Sequence, residues 1–192
     1  MYDPSTDLRR QRSHISRLRL LEAVEALFQQ YGFEDTTLES VADAAGVHVQ
    51  TLYRHFRKKS DWLKAILDKN LEEFTAFMRQ REGETLSAWR DWVELNAVRT
   101  RPDPSTHDLP EMAGYWHRYE AFLAHEIAID MGVNERTDLC PMLAACMLVG
   151  TNKHRAHDLA TSSRTNNWVD DLLQVVDVAI EQFRIALAAE AA

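Results

Sequence analysis

Thr37-Leu38-Glu39-Ser40-Val41-Ala42-Asp43-Ala44-Ala45-Gly46-Val47-His48-Val49-Gln50-Thr51-Leu52-Tyr53 reads as two short helices folded about a tight turn. Leu38, Val41, Ala42 and Ala45 recur at three- and four-residue spacing, so the first helix has one apolar face. Thr36 or Thr37 can cap its start, because a threonine oxygen accepts an orphan backbone N–H there. Gly46 falls where that helix must stop with positive φ, a conformation glycine tolerates best. Val47 can plug the angle between the helices, and a second helix begins at Val49. Helix, glycine turn, helix is the outline of a helix-turn-helix, although any αα-hairpin shares it.

The residues that follow sharpen this outline. Tyr53-Arg54-His55-Phe56-Arg57-Lys58-Lys59 gathers aromatic, basic and imidazole groups at the end of the second helix and the start of another. Threonine and glutamine groups can touch base edges, while arginine and lysine neutralise phosphates. Over residues 17–67 the chain resembles the DNA-binding domain of the TetR family of transcriptional regulators. The resemblance is carried by Leu27-Phe28, Tyr31-Gly32-Phe33, Thr36-Thr37, Val41-Ala42, Ala44-Ala45-Gly46-Val47, Thr51-Leu52-Tyr53, His55-Phe56 and Lys59.

Composition sets the remaining bounds. With 192 residues, 45% of them hydrophobic, the chain can bury a core in one or two domains. Glycine and proline are scarce and no alternating β-type run stands out, so an all-α chain is expected. The formal charge of −8 argues against a protein that coats nucleic acid generally. The charge is unevenly spread, however. Residues 1–70 carry eleven Lys/Arg against ten Asp/Glu, and residues 71–192 carry eleven against twenty. A small DNA-reading domain attached to an acidic remainder would show this asymmetry. Cys140 and Cys146 are six apart, which suits neither a metal pair nor a CxxC motif. The longest apolar run, residues 141–150, is too short to span a bilayer. No cleavable apolar segment opens the sequence, so a cytoplasmic protein without a membrane partner is expected.

In chain order, residues 1–12 read as a flexible basic arm, either solvated or reaching the DNA backbone. Residues 13–58 read as the helix-turn-helix domain, opened by a helix with the stripe Leu18, Leu21, Val24, Leu27, Phe28 and Tyr31. Residues 59–192 read as a helical regulatory and dimerisation domain, for about nine helices in all. Its expected helices span about 59–81, 84–100, 109–131, 139–160 and 168–189, with Asp138 capping the fourth. Residues 101–108 and 161–167 read as the internal loop and a polar linker.

The resemblance assigns DNA contacts position by position. Val49, Gln50, Thr51 and Tyr53 lie on the recognition helix, with His48 at its entrance. Gln50 can bond the adenine edge in two places, and Val49 and Thr51 can meet a thymine methyl. Thr37, Tyr53, His55 and Lys59 match positions that engage phosphates, and Arg54 and Lys58 add charge beside them. Tyr53 and His55 read equally as domain core; Leu52 and Phe56 read as core outright. Two positions depart from the family pattern. His48 replaces a capping serine, and Lys58 stands where Ser, Asn or Asp is frequent before the next helix. Each puts a potentially cationic group at a helix N-terminus, which the helix dipole disfavours and a nearby phosphate would relieve.

The resemblance further implies a homodimer whose C-terminal helices enclose a small-molecule pocket. Trp89, Trp92, Met112, Tyr115, Trp116, Tyr119 and Met147, with Asn96 for polarity, would suit an apolar or aromatic effector. For any single one of them ordinary helix packing is the commoner explanation, and the pocket reading rests on the set. For the dimer, Leu143, Met147 and Gly150 precede a broad stripe of Val169, Leu172, Leu173, Val176, Ile180 and Phe183. Two such helices per subunit would build a four-helix interface, although one subunit could fold the stripe into its own core. His154 with His157, and His117 with Glu120, share helix faces but lack a third ligand, so no metal is expected. No nucleophile motif, phosphate loop or carboxylate pair implies an enzyme, and no cofactor is expected. The leading reading is a dimeric regulator, a repressor of a palindromic operator released by an effector of unknown identity. An activator, a ligand-independent regulator and a helical binding protein that has lost DNA reading are the alternatives.

Overall fold

The computed structural model describes residues 4–99, 103–161 and 168–190. They form eight α-helices and one 3-10 turn: α1 (Pro4–Asp35), α2 (Leu38–Ala44), α3 (Val49–His55), α4 (Lys59–Arg79), α5 (Thr85–Arg99), the turn Pro104–Thr106, α6 (Pro110–Met131), α7 (Cys140–Thr161) and α8 (Trp168–Glu190). The all-α expectation holds, with eight helices and a turn where about nine helices are expected. Residues 101–102 of the expected loop and 162–167 of the expected linker lie outside the described residues.

The chain divides into two compact units, Met1–Lys69 and Asn70–Ala192. The division falls inside α4 rather than at its start, residue 59, because the first turns of α4 belong to the first core. Trp62 is fully buried there with Leu20, Leu21, Val24, Val41, Ala42, Leu52 and Phe56, and Ala65 and Ile66 pack against the same cluster.

Residues 4–12 continue α1 instead of forming a loose arm. Pro4 suits a first helical turn, and neither glycine nor a second proline interrupts the chain from Ser5 to Tyr31. The side chains of Arg9, Arg10 and Arg12 lie outside the described residues. Gly32 breaks the helix with φ 83° and ψ 171°, as its place after Tyr31 predicts. The Thr36 hydroxyl then donates to the Gly32 carbonyl at 2.7 Å and holds the break. Leu18 and Tyr31, expected on the inward stripe, are exposed instead. At 100° per residue Leu18 points well away from the line through Leu20, Val24 and Phe28, and Tyr31 sits at the break itself.

The second unit is built by α5–α8 with the second half of α4. Large aromatic groups from three helices fill one part of its core: Phe74 on α4, Trp89 and Trp92 on α5, and Tyr115 and Tyr119 on α6. Elsewhere in it Arg81, just past α4, reaches two carboxylates on α6. It pairs with Glu126 and, at 3.4 Å, with Asp130. Asp130 also accepts from the Thr85 backbone N–H at 2.6 Å, capping α5, while the Thr85 hydroxyl donates to the Glu126 carbonyl at 3.2 Å. Glu126 is buried on α6, so removing its charge leaves the guanidinium, in a poorly hydrated place, with only the longer Asp130 contact as a counter-charge. Glu126→Ala is expected to destabilise the chain by about 3 kcal/mol, read as an earlier urea midpoint followed by circular dichroism. An unchanged midpoint would show the pair to be worth nothing net.

Candidate nucleic-acid interface

The helix-turn-helix assembles from local signals. Thr37 caps α2 in a reciprocal box: its Oγ1 accepts from the Ser40 N–H at 3.1 Å, and the Ser40 hydroxyl oxygen accepts from the Thr37 N–H at 3.1 Å. At the other end Gly46 takes φ +63°. The Val47 N–H reaches back to the Ala42 carbonyl at 2.9 Å and the Gly46 N–H to that of Asp43 at 3.1 Å, closing a Schellman motif. Thr37, expected to engage a phosphate, therefore spends its hydroxyl on a cap. It remains exposed at the helix start, where backbone N–H groups also favour an anion.

His48 is the residue before α3 and makes no side-chain cap bond, as the loss of the usual serine predicts. Along α3 the inward face carries Leu52, with Phe56 just beyond, both essentially fully buried. The helical step then turns His48, Gln50, Tyr53 and Arg54 to solvent, with Arg57 and Lys58 following. Tyr53 is 49% exposed, so it is not core. Val49, Thr51 and His55 are half-buried, and Val49 packs against the first core.

The two lysines before and at the start of α4 behave differently. Lys58 is exposed, and its missing cap is supplied from within α4. Asp61 accepts from the backbone N–H groups of Arg57 at 2.9 Å and Lys58 at 3.1 Å. Lys59 is engaged inside the unit: its Nζ donates to the Glu34 carbonyl at 2.7 Å and lies 4.7 Å from the centre of the Phe33 ring. That clasp ties the end of α1 to the start of α4, so Lys59 must leave an internal partner to meet a phosphate.

His55 is shifted below the ordinary histidine value of 6.5, chiefly by burial and then by the positive charges of Arg17 and Arg54. A histidine depressed in the folded state favours folding above its unfolded value of 6.5, and that contribution is lost as pH falls through the lower folded value.

Of the expected effector residues, the structure brings Trp89, Trp92, Asn96, Tyr115 and Tyr119 together and engages them internally. Trp89 Nε1–H donates to the Tyr119 hydroxyl at 3.2 Å. Tyr119 stacks on Phe74 with centroids 3.9 Å apart, and burial pushes its phenol far above the usual range. Trp92 packs on Phe74 at 5.6 Å. The Tyr115 hydroxyl donates to Asn70 Oδ1 at 2.5 Å, and Asn70 Nδ2–H donates to Asn96 Oδ1 at 3.0 Å. Met112 and Trp116 are half-buried, whereas Met147 is 60% exposed on α7. Asn70 and Phe74 of α4 carry much of this network and were not among the expected residues. Their α4 register, one turn apart, is the signal that could have found them.

The dimer residues divide likewise. Leu143 and Met147 are exposed, Gly150, Val169 and Phe183 are half-buried, and Leu172, Leu173, Val176 and Ile180 are buried in the subunit's own core. The main stripe of α8 therefore faces inward, because α8 packs on both α5 and α7. Among the described residues, the large apolar groups left exposed here are Leu139 just before α7, Met142, Leu143 and Met147 on α7, and Val178 and Ile185 on α8.

A capped helix, a Schellman turn and a second helix with a bare polar and cationic face define a helix-turn-helix protein. Residues 20–66 match the family described as bacterial regulatory proteins, tetR family. The match covers the helix-turn-helix and the helices that flank it. A helix-turn-helix-type transcriptional regulator of Staphylococcus aureus (strain USA300) is 32% identical over 65 residues. That match takes in 34% of this chain and 35% of the relative, so the chain spans about a third of the length of the curated relatives it matches. Among solved structures, SmeT, the repressor of the Stenotrophomonas maltophilia multidrug efflux pump SmeDEF, is similar with TM-score 0.64 and 21% identity, over 86% of this chain and 89% of that one. Thermus thermophilus FadR, a TetR-family repressor in complex with lauroyl-CoA, is similar with TM-score 0.57 and 19% identity, over 86% and 93%. A transcriptional regulator from Cytophaga hutchinsonii gives TM-score 0.65 at 16% identity, over 85% and 94%. At such identities the likeness is one of fold.

Because Asp61 already caps the amides, Lys58 is free to serve binding rather than stability. Lys58→Ser is expected to keep or raise the melting temperature while weakening duplex binding and lowering its logarithmic salt slope by about one. Unchanged affinity and slope in a salt titration would remove Lys58 from the interface.

Proposed function

We propose that the chain is a homodimeric, sequence-specific DNA-binding transcriptional regulator that acts as a repressor on a palindromic operator. The observation that carries this is the bare outward face of α3 and its continuation. The side chains of His48, Gln50, Tyr53, Arg54, Arg57 and Lys58 make no hydrogen bond or ion pair with other described residues, although all are exposed. Thr51 and Val49 flank Gln50 on the same helix and add apolar contact for a thymine methyl. Gln50 is the principal base reader in this proposal, and the cations beside it hold phosphates.

Dimerisation follows from spacing as well as from surface. Two reading helices must stand about 34–36 Å apart to enter successive major grooves. The exposed Leu143 and Met147 of α7 and Leu139 just before it, with Val178 and Ile185 of α8, supply apolar surface for a four-helix contact. Among the described residues no helix is long and apolar enough to cross a membrane.

An apolar effector that releases DNA is supported by the aromatic cluster and by the acyl-CoA bound to the similar FadR. To act, it must favour the conformation that does not fit DNA. A ligand-independent regulator is favoured by one observation: the rings stack on one another and their polar atoms are mutually satisfied. An effector would have to displace these contacts.

Gel shifts on the DNA upstream of the coding sequence test the main reading. Wild type is expected to bind one fragment in preference to a scrambled duplex. Gln50→Ala should cost about 1–3 kcal/mol of that preference while leaving non-specific binding in place. Absence of any preference at modest salt would sink the reading. Sedimentation tests the assembly: Leu143→Glu with Met147→Glu should convert a dimer to a folded monomer and abolish tight operator binding. A double variant that stays dimeric would move the interface elsewhere.

A further inference from the structure

Arg17 occupies a place where the helical repeat calls for an apolar side chain. It precedes Leu20, Leu21, Val24 and Phe28 by three, four, seven and eleven residues, and these are the residues lining the inward face of α1. Its guanidinium carbon lies 4.8 Å from the centre of the Phe56 ring. The His55 ring is 6.5 Å from that same ring, and Arg54 is the next residue back on α3. Phe56 thus sits among three groups that are or can become cationic, drawn from two helices. None of Arg17, Arg54 and His55 makes a hydrogen bond or ion pair among the described residues. Asp61 on α4 is occupied by the amides of Arg57 and Lys58. Like charges gathered without a counter-ion repel one another, and an anion placed among them removes that cost.

We propose that Arg17, Arg54 and His55 form one cradle for a DNA backbone phosphate, and that the docked phosphate draws a proton onto His55. The inference rests on the DNA-binding reading above. In the free chain, burial and the charges of Arg17 on α1 and Arg54 on α3 hold His55 below the ordinary value, so it is neutral at neutral pH. A phosphate oxygen reverses that balance, since it brings the opposite charge and accepts the second imidazole N–H. Binding then takes up a fraction of a proton, and affinity rises as pH falls between the free and the bound titration. His48 at the entrance to α3 and His14 on α1 are exposed imidazoles of the same unit, so each needs its own control.

The test uses the full chain and a duplex from its own upstream region, with a scrambled duplex of equal length beside it. Fluorescence anisotropy is expected to show binding to both duplexes strengthening by about three- to tenfold from about pH 7.5 to about pH 6, the range one proton can give. His55→Gln should remove most of that increment, whereas His48→Gln and His14→Gln should leave it. Arg17→Gln should weaken binding about three- to tenfold and lower the salt slope by about one, and Arg17→Lys should restore most of both. Nuclear magnetic resonance of histidine-labelled wild type reads the proton directly: the His55 imidazole should titrate below 6.5 when free and higher when the duplex is bound. An identical titration in the two states, or an Arg17→Gln variant that binds like wild type with the same slope, overturns the cradle. If Arg17→Gln melts early, the wild-type titration and Arg17→Lys still decide. Wild type that binds neither duplex brings down the DNA-binding reading, and the cradle with it. Wild type that binds but answers to neither pH nor Arg17 brings down the cradle alone.

Discussion

Burial of Leu52 and Phe56 fixes the rotation of α3, and with it everything the first unit can present. Once those two side chains enter the core with Leu20, Val24, Val41 and Trp62, the 100° helical step leaves no choice for the rest. Gln50, Tyr53 and Arg54 must point outward. The glycine turn at Gly46 and the box at Thr37 determine where α3 begins, but the apolar anchors determine which way it faces. The basic residues that follow are aligned for the same reason.

The first unit could be read closely from its residues because its signals are local. A positive-φ glycine, a capping threonine and a three-four apolar spacing each act within a few residues, and Gly46, Thr37 and Leu52 all behave accordingly. Asp138 does too, accepting from the Cys140 N–H at 2.8 Å. Arg17 shows where local reading stops. Its charge alone gives no reason to place it inside, whereas its register places it on the inward face against Phe56, a contact 39 residues away in sequence. Leu172, Leu173, Val176 and Ile180 show the same limit in reverse. Their periodicity announces a buried stripe but cannot say whether the covering partner is the same subunit or another. That answer depends on how α8 meets α5 and α7.

In the second unit, polar groups are placed inside and paired with one another. The chain from Tyr115 through Asn70 to Asn96 joins α6, α4 and α5, and the Trp89–Tyr119 bond joins α5 to α6 again. Buried donors and acceptors left without partners cost more than paired ones return, so such networks select one packing among several of equal apolar content. The Arg81–Glu126–Asp130 contacts do the same for the junction between α4 and α5.

The division between inward and outward positions on α3 has a consequence for how such a protein can diversify. Substitutions at Gln50 or Tyr53 change an outward surface and touch little of what holds the domain together, so that surface can drift almost free of folding constraints. No such licence exists around Tyr119. There the side chains are the masonry, and every substitution is a change of foundation.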